Sequence, residues 1–274
     1  MAEQTLKDIG PVVLVGAGKM GLAMARGWIA SGLPPDRLVL VDPLAGEAAK
    51  SFAADNDVRL LASIEGVLTH VLVLAVKPQS MIPVMQQVLP SVGKHTLVIS
   101  IAAGISLHTL AAGLDTDRVV RAMPNTPAQL GKGITGAVGL RISAADQEVA
   151  NLLLRAAGDV VWFDAENMID AVTAVSGSGP AYVFYLVEAL AVAAQRQGFS
   201  PAQAMHFARQ TVIGAAALLE ADEAPASVLR ENVTSPKGTT AAALSVLMAA
   251  DGLESLMDRT VRAARHRSEE LGRG

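Results

Sequence analysis

The sequence predicts an α/β amino-terminal half, a doubly wound sheet, followed by an all-α carboxy-terminal half. Short runs of Val, Leu and Ile recur through the first 164 residues with helical stretches between them, the pattern of βαβ units whose parallel strands are covered on both faces. Beyond about Asp164 the strand pattern stops, and helical periodicity with cap signals takes over. The 274 residues, 51% hydrophobic and only 18% charged, supply core for two modest domains and lie far from the composition of disordered chains. Domains are therefore expected at 1–164 and 165–274.

Strands are expected at Val12–Val15, Leu38–Val41, Val71–Val76, Leu97–Ile101 and Arg118–Ala122, with Ala137–Leu140 and Val160–Phe163 toward a sheet edge. In the second half, Pro180-Ala181-Tyr182-Val183-Phe184 opens a helix running to Gly198, a residue suited to a helix C-terminus. Ser200-Pro201-Ala202-Gln203 reads as a capping box with proline in the first helical position, starting a helix toward Glu220. Another helix starts near Thr240, and Asp251-Gly252-Leu253-Glu254 supplies a cap and break before the last, from Leu253 to about Leu271. Alanine runs such as Ala215-Ala216-Ala217 let helices approach closely. A helical domain this apolar, without strands of its own, is expected to bury surface against a second copy.

Composition removes several function classes. Zero cysteines exclude disulfides, thiolate metal sites and cysteine nucleophiles. A net charge of -4 with 3% aromatic residues argues against nucleic-acid partners. Mean hydropathy is +0.39, yet the long uncharged stretches, Thr96–Leu114 and Ala171–Val187, carry Ser, His, Gly and Pro that would strand backbone groups in lipid, so no membrane span is expected. The start, Met1 to Asp8, lacks a basic segment followed by an apolar one, and a cytoplasmic protein is expected. The five histidines, His70, His95, His108, His206 and His266, show no metal-ligand spacing, so no metal site is expected.

The run Val15-Gly16-Ala17-Gly18-Lys19-Met20-Gly21 places G-x-G-x-x-G directly after the first strand and at the mouth of an apolar helix. That context identifies a Rossmann-type dinucleotide site: Gly16 for the tight turn, Gly18 for approach of a pyrophosphate, Gly21 for helix–strand packing. Asp42 ends the second strand about twenty residues farther on, where a carboxylate accepts hydrogen bonds from the ribose hydroxyls and repels a 2′-phosphate. By itself Asp42 favours NADH over NADPH. Two more strand ends carry unusual turns, Ala75-Val76-Lys77-Pro78 and Ile101-Ala102-Ala103-Gly104; their small side chains would let a flat nicotinamide lie close to the main chain. For Lys77, positioning is preferred over proton donation, because Pro78 restrains it toward an extended backbone. Arg259, Arg262, Arg265 and Arg267 recur at near-helical spacing, read as a solvated helix face.

Three further segments, Arg121-Ala122-Met123-Pro124-Asn125-Thr126-Pro127, Val172-Thr173-Ala174-Val175-Ser176-Gly177-Ser178-Gly179-Pro180-Ala181-Tyr182 and Val233-Thr234-Ser235-Pro236-Lys237-Gly238-Thr239-Thr240, together resemble the pyrroline-5-carboxylate reductases over nearly the whole chain. The resemblance implies NADPH- or NADH-dependent reduction of L-1-pyrroline-5-carboxylate to L-proline, the last step of proline synthesis. It also implies a homodimer with an interlocked helical domain, often assembled further into a homodecamer. It points to Thr240 beside the imine nitrogen as the catalytic residue, to Asn232, Ser235, Gly238 and Thr239 around the substrate, and more weakly to Glu166 and Ser178. The residues agree physically: Ser235–Thr240 is a turn opening a helix, where unpaired N–H groups and short hydroxyls can hold a carboxylate. Helix capping is the competing role for Thr239 and Thr240.

Two positions depart from the family pattern. Lys237 stands where members often carry glycine, implying either a changed backbone angle or an added cation near the substrate's acid group, and Asp42-Pro43-Leu44 does not match the residues that receive a 2′-phosphate. The competing functions are another imine or hydroxyacid reductase of the same architecture and a non-catalytic NAD-binding sensor.

Overall fold

The computed structural model describes residues 5–272, so the first four residues of the Met1–Asp8 segment, in which no export signal is expected, lie outside the described residues. Eight strands form one sheet: β1 Val12–Val15, β2 Leu38–Val41, β3 Arg59–Leu61, β4 Val71–Leu74, β5 Leu97–Ser100, β6 Val119–Met123, β7 Gly133–Leu140 and β8 Gly158–Trp162. Eleven helices follow the same numbering: α1 Lys19–Ala30, α2 Glu47–Asp55, α3 Met81–Val88, α4 Leu107–Leu114, α5 Ala144–Arg155, α6 Met168–Val172, α7 Gly179–Arg196, α8 Pro201–Ala221, α9 Ala226–Asn232, α10 Thr239–Leu247 and α11 Leu253–Leu271.

The strand order is β3-β2-β1-β4-β5-β6-β7-β8. β1 pairs in parallel with β2 (Val12↔Leu38) and with β4 (Val12↔Val71), so the order reverses at β1, the point where ligands collect in doubly wound folds. β1, β2, β4 and β5 are buried along their whole length, which is why the first three read as unbroken apolar runs and β5 as one closed by the buried Ser100. The expected longer strands at 71–76 and 97–101 have a physical basis, because the ladder runs on past the assigned ends: Ala75 N–H donates to Val15 O and Ile101 N–H to Leu74 O. The edge differs from an all-parallel sheet. β7 runs antiparallel to β6 (Val119↔Leu140), and β8 then pairs in parallel with β7.

Two cores cover the faces. One gathers Leu14, Met24, Trp28, Leu40, Val73 and Leu153, with Trp28 Nε1 donating to Leu153 O at 2.7 Å. The other gathers Val13, Leu72, Met81, Leu110, Val119 and Ile169. α5 starts at a capping box, Ser143 with Asp146, whose carboxylate also pairs with Arg118. Burial pushes the Asp146 carboxyl up, but hydrogen bonds from Arg118 and Ser143 outweigh it and hold it below the ordinary aspartate value.

The chain divides into two compact units, Met1–Ser178 with Ala264–Gly274, and Gly179–Ala263. The division falls later than the expected Asp164, and the cause is packing. Ile169 and Ala174 are buried in the first unit, while a Cβ at Gly136 would press on Val172 and one at Gly177 on Met123. Within the second unit α7 and α8 meet through small residues, Ala191, Ala204 and Ala208, with Val187 and Ala194 beside them. α7 ends before Gly198, which takes φ +99°, and α8 begins at the Ser200 box: Gln203 N–H donates to Ser200 Oγ, and Ser200 N–H to Gln203 Oε1. Much of α7 and α8 remains apolar and exposed, including Phe184 (64%), Tyr185 (70%), Phe207, Leu218 and Leu219. Residues 168–196 are long and apolar enough by length and composition to cross a bilayer, but a π turn at Thr173–Gly177 and Gly179-Pro180 interrupt them.

Candidate active site

The glycine turn after β1 has the geometry its residues suggest. Gly16 takes φ +96°, and a Cβ there would stand 2.8 Å from Ala75 O, so only glycine passes this corner. A Cβ at Gly21 would run into the Gly16 carbonyl, which is how α1 packs tightly on β1. Gly18 is the N-cap of α1 and makes no such contact; the space beyond it is open, as approach of a pyrophosphate to the helix N-terminus requires.

Asp42 is held in place by the turn. Its Oδ2 accepts the Ala17 N–H and its Oδ1 the Leu44 N–H, both at 2.9 Å. The carboxylate thus ties β2 to the phosphate turn, and it lines a cavity of about 600 Å³ together with Val15, Gly16, Gly18, Leu44, Ser63, Ala75, Val76 and Lys77. Among the described residues, Lys77 is the one cation on that wall. Its backbone is extended (φ -63°, ψ 145°) ahead of Pro78, which opens a short 3-10 turn. Ala17, Lys19 and Met20 sit on the same turn and first turn of α1, and Ile101, Ala102 and Ala103 leave the end of β5, two strands from β1. These residues fit a dinucleotide: a clear turn at a helix N-terminus, a fixed carboxylate after β2, and small residues after β4 and β5.

In the second unit, Asn232 closes α9, and Ser235-Pro236-Lys237-Gly238 forms a turn in which Gly238 N–H donates to Ser235 O at 3.0 Å. Lys237 takes φ +61°, so it keeps the left-handed angle that glycine would adopt. Gly238 is the N-cap of α10 and has no side chain, so neither Thr239 nor Thr240 serves as that cap. The competing role for the two threonines is filled by the glycine.

The weaker substrate candidates lie in the first unit. Ser178 follows the π turn, with its N–H bonded to Thr173 O. Glu166 is engaged inside the unit: Oε1 accepts Arg121 Nη1 at 2.7 Å and the Leu107 N–H at 2.7 Å. Arg121, Asp170 and Ser268 belong to the same cluster and were not expected from the sequence. The available signal was an arginine inside an otherwise apolar central strand.

Residues 166–271 match the family model for pyrroline-5-carboxylate reductase dimerisation, and residues 11–104 match that for NADP oxidoreductase coenzyme F420-dependent proteins. The pyrroline-5-carboxylate reductase of Pseudomonas aeruginosa is 42% identical over 266 residues, covering 95% of this chain and 96% of the relative. Among solved structures, a pyrroline-5-carboxylate reductase from Coxiella burnetii superposes with a TM-score of 0.87 at 34% identity, covering 96% of this chain and 98% of that one. The Plasmodium falciparum pyrroline carboxylate reductase with NADP bound gives 0.79 at 25% identity, covering 98% and 99%. With identity at this level running through both units, the chain belongs to the pyrroline-5-carboxylate reductase family.

Proposed function

We propose that this chain reduces L-1-pyrroline-5-carboxylate to L-proline, the last step of proline biosynthesis, with Thr240 as the catalytic residue and NADH as the preferred donor. The observation that carries the site assignment is the Ser235–Thr240 turn, capped by a glycine and leaving both threonine hydroxyls unclaimed by the cap. The first N–H groups of α10 and the Ser235 and Thr239 hydroxyls receive the substrate carboxylate, and Asn232 and Gly238 shape the turn. A bound NAD(P)H would supply the hydride for the imine carbon, and the ring nitrogen would gain a proton. Thr240 orients that nitrogen and relays its proton; an imine nitrogen is basic enough to draw the proton from solvent, so no strong side-chain acid is required. Catalysis rests on holding two reactants in register.

For the dinucleotide, the turn Gly16–Gly21 takes the pyrophosphate, Asp42 the adenosine ribose, and Val76–Pro78 with Ile101–Ala103 the nicotinamide end. The fixed Asp42 carboxylate supports NADH, in contrast to the Plasmodium relative with NADP bound. The exposed apolar faces of α7 and α8, in the region matched by a dimerisation model, support a homodimer; further assembly into a homodecamer rests on the family resemblance alone. A cytoplasmic setting accords with the absence of cysteine.

The test is the initial rate of NADH and NADPH oxidation by the purified protein with L-pyrroline-5-carboxylate, against a control without substrate. Substrate-dependent oxidation, faster with NADH, is expected. Tight dinucleotide binding with no oxidation of either nucleotide would overturn the assignment and favour a sensor.

A further inference from the structure

Arg121 is 4% exposed in the middle of β6, and its Nε has no hydrogen-bond partner. A buried guanidinium with an orphaned donor is a poor device for stability, since a well-packed apolar side chain would serve at least as well. What it holds is more telling. Arg121 Nη1 donates to Glu166 Oε1, and that same oxygen accepts the N–H of Leu107, the first residue of α4. Arg121 Nη2 lies 3.7 Å from Asp170 Oδ1, which accepts the Ser268 hydroxyl at 2.7 Å. Ser268 is itself buried, and one turn farther on Leu271 lies against Gly104. The connection from β5 to α4 is therefore gripped at its helix end through Glu166 and backed at its middle by the last turn of α11, and Arg121 links the two holds.

We infer that Arg121, Glu166, Asp170 and Ser268 form a positioning network that fixes the 101–106 connection, and with it the nicotinamide end of the bound dinucleotide. Arg121, Asp170 and Ser268 carry no other assignment, and Glu166 acts through the connection rather than on the substrate. The inference rests on the proposed placement of the nicotinamide at Ile101–Ala103. Hydride transfer is steep in donor–acceptor distance, and a displacement of about 1 Å costs on the order of a hundredfold in rate. A backbone connection carrying no charged side chain of its own needs outside anchors to hold such tolerance.

The experiment compares Glu166→Ala, Glu166→Gln and Ser268→Ala with the unaltered protein. It reads amide hydrogen exchange across 101–110, dinucleotide affinity by fluorescence titration, and kcat and KM for pyrroline-5-carboxylate. Glu166→Ala is expected to speed exchange at the Leu107 amide about tenfold or more and to lower kcat about tenfold, with KM for the imine little changed. Glu166→Gln, which keeps an oxygen acceptor, restores most of both. Ser268→Ala moves both in the same direction by a smaller factor, and it carries the test should Glu166→Ala not fold. Unchanged exchange at 101–110 in Ser268→Ala and Glu166→Ala, or a rise confined to KM for the imine, overturns the network and returns Glu166 to substrate binding. Ala103→Leu separates the underlying reading: if it leaves dinucleotide affinity and kcat unchanged, the nicotinamide does not lie there and the proposal falls with its premise. If Ala103→Leu is impaired while the network variants are inert, the network alone falls.

Discussion

Replacing Asp42 with Asn removes one negative charge while keeping side-chain volume, and it tests nucleotide selection directly. Asp42 is half-buried at the cavity wall, with both carboxylate oxygens fixed by backbone N–H groups of Ala17 and Leu44. It therefore cannot swing away from a 2′-phosphate without abandoning two hydrogen bonds. Two unit charges about 4 Å apart repel by about 1 kcal/mol in bulk water and about 4 kcal/mol at the effective dielectric near a protein surface. Since about 1.4 kcal/mol is a factor of ten, the expected preference of the unaltered protein for NADH in kcat/KM is at least about fivefold, and larger as the site excludes water. Asp42→Asn should shrink that ratio by about tenfold, partly through lost repulsion and partly through a weaker hold on the ribose. The asparagine amide can satisfy one backbone N–H but turns its own NH2 toward the other, costing about 1–2 kcal/mol of stability. The assay is initial-rate kcat/KM with each nucleotide, with thermal unfolding alongside. A protein that prefers NADPH, or a ratio that Asp42→Asn leaves unchanged, would refute the reasoning.

Thr240→Ala should lower kcat by about a hundredfold while leaving NADH affinity, measured by fluorescence titration, within about twofold; unchanged turnover would remove Thr240 from the mechanism. Lys237→Gly should raise stability by about 0.5–1 kcal/mol, because relief of the left-handed strain at φ +61° exceeds the extra freedom of glycine in the unfolded chain; the denaturant midpoint reads it. If the lysine ammonium also serves the substrate carboxylate, KM for pyrroline-5-carboxylate rises in the same variant. Asp146→Asn should destabilise the protein by about 2 kcal/mol at neutral pH through loss of the Arg118 ion pair and weakening of the charged acceptor in the α5 capping box, while Ser143 remains the cap. The folded-state pKa of Asp146 is depressed, so its stabilisation is fully present above the unfolded value of about 3.9 and disappears as pH falls through the folded value. The stability difference between variant and parent should therefore close only in acid, and a gap that closes near pH 6 would contradict it.

The parts of this molecule visible in its sequence are those where local chemistry has few alternatives. β1, β2 and β4 are unbroken apolar runs because both faces are covered, β5 is apolar up to Ser100, and Gly16 and Gly21 of the phosphate turn stand where a Cβ would strike the Ala75 or Gly16 carbonyl. The Ser200 box satisfies its own helix end and needs nothing distant. β3 leaves no sequence signal because it is three residues long, begins with Arg59 and lies at the sheet edge without a fully buried face. The expected boundary near Asp164 coincides with the start of the dimerisation match at 166, whereas compact packing divides the chain after Ser178, because periodicity says that α6 has an apolar face without saying which body that face meets. Glu166 poses the same difficulty at one residue: Arg121 lies 45 positions away, and no local signal distinguishes a carboxylate aimed at a ligand from one claimed by a buried guanidinium.

The chemistry explains why the supports of the proposed site are less legible than its motifs. A ketone reductase announces itself by a strong acid placed among apolar residues, whereas a cyclic imine brings its own basic nitrogen and leaves the protein chiefly the task of holding reactants still. In the proposed site, holding falls to backbone in the turn before α10 and the connection after β5, and backbone conformation shows in sequence only where it demands glycine or proline. Pro236 marks its turn. Lys237 conceals the left-handed angle that the same turn requires at the next position, and the 101–106 connection borrows its rigidity from Glu166 and the last turn of α11. A site built on positioning thus distributes its determinants over segments far apart in the chain, and substitutions at Arg121 or Ser268, which stand outside the motif glycines and threonines, are expected to act on turnover more than on substrate affinity.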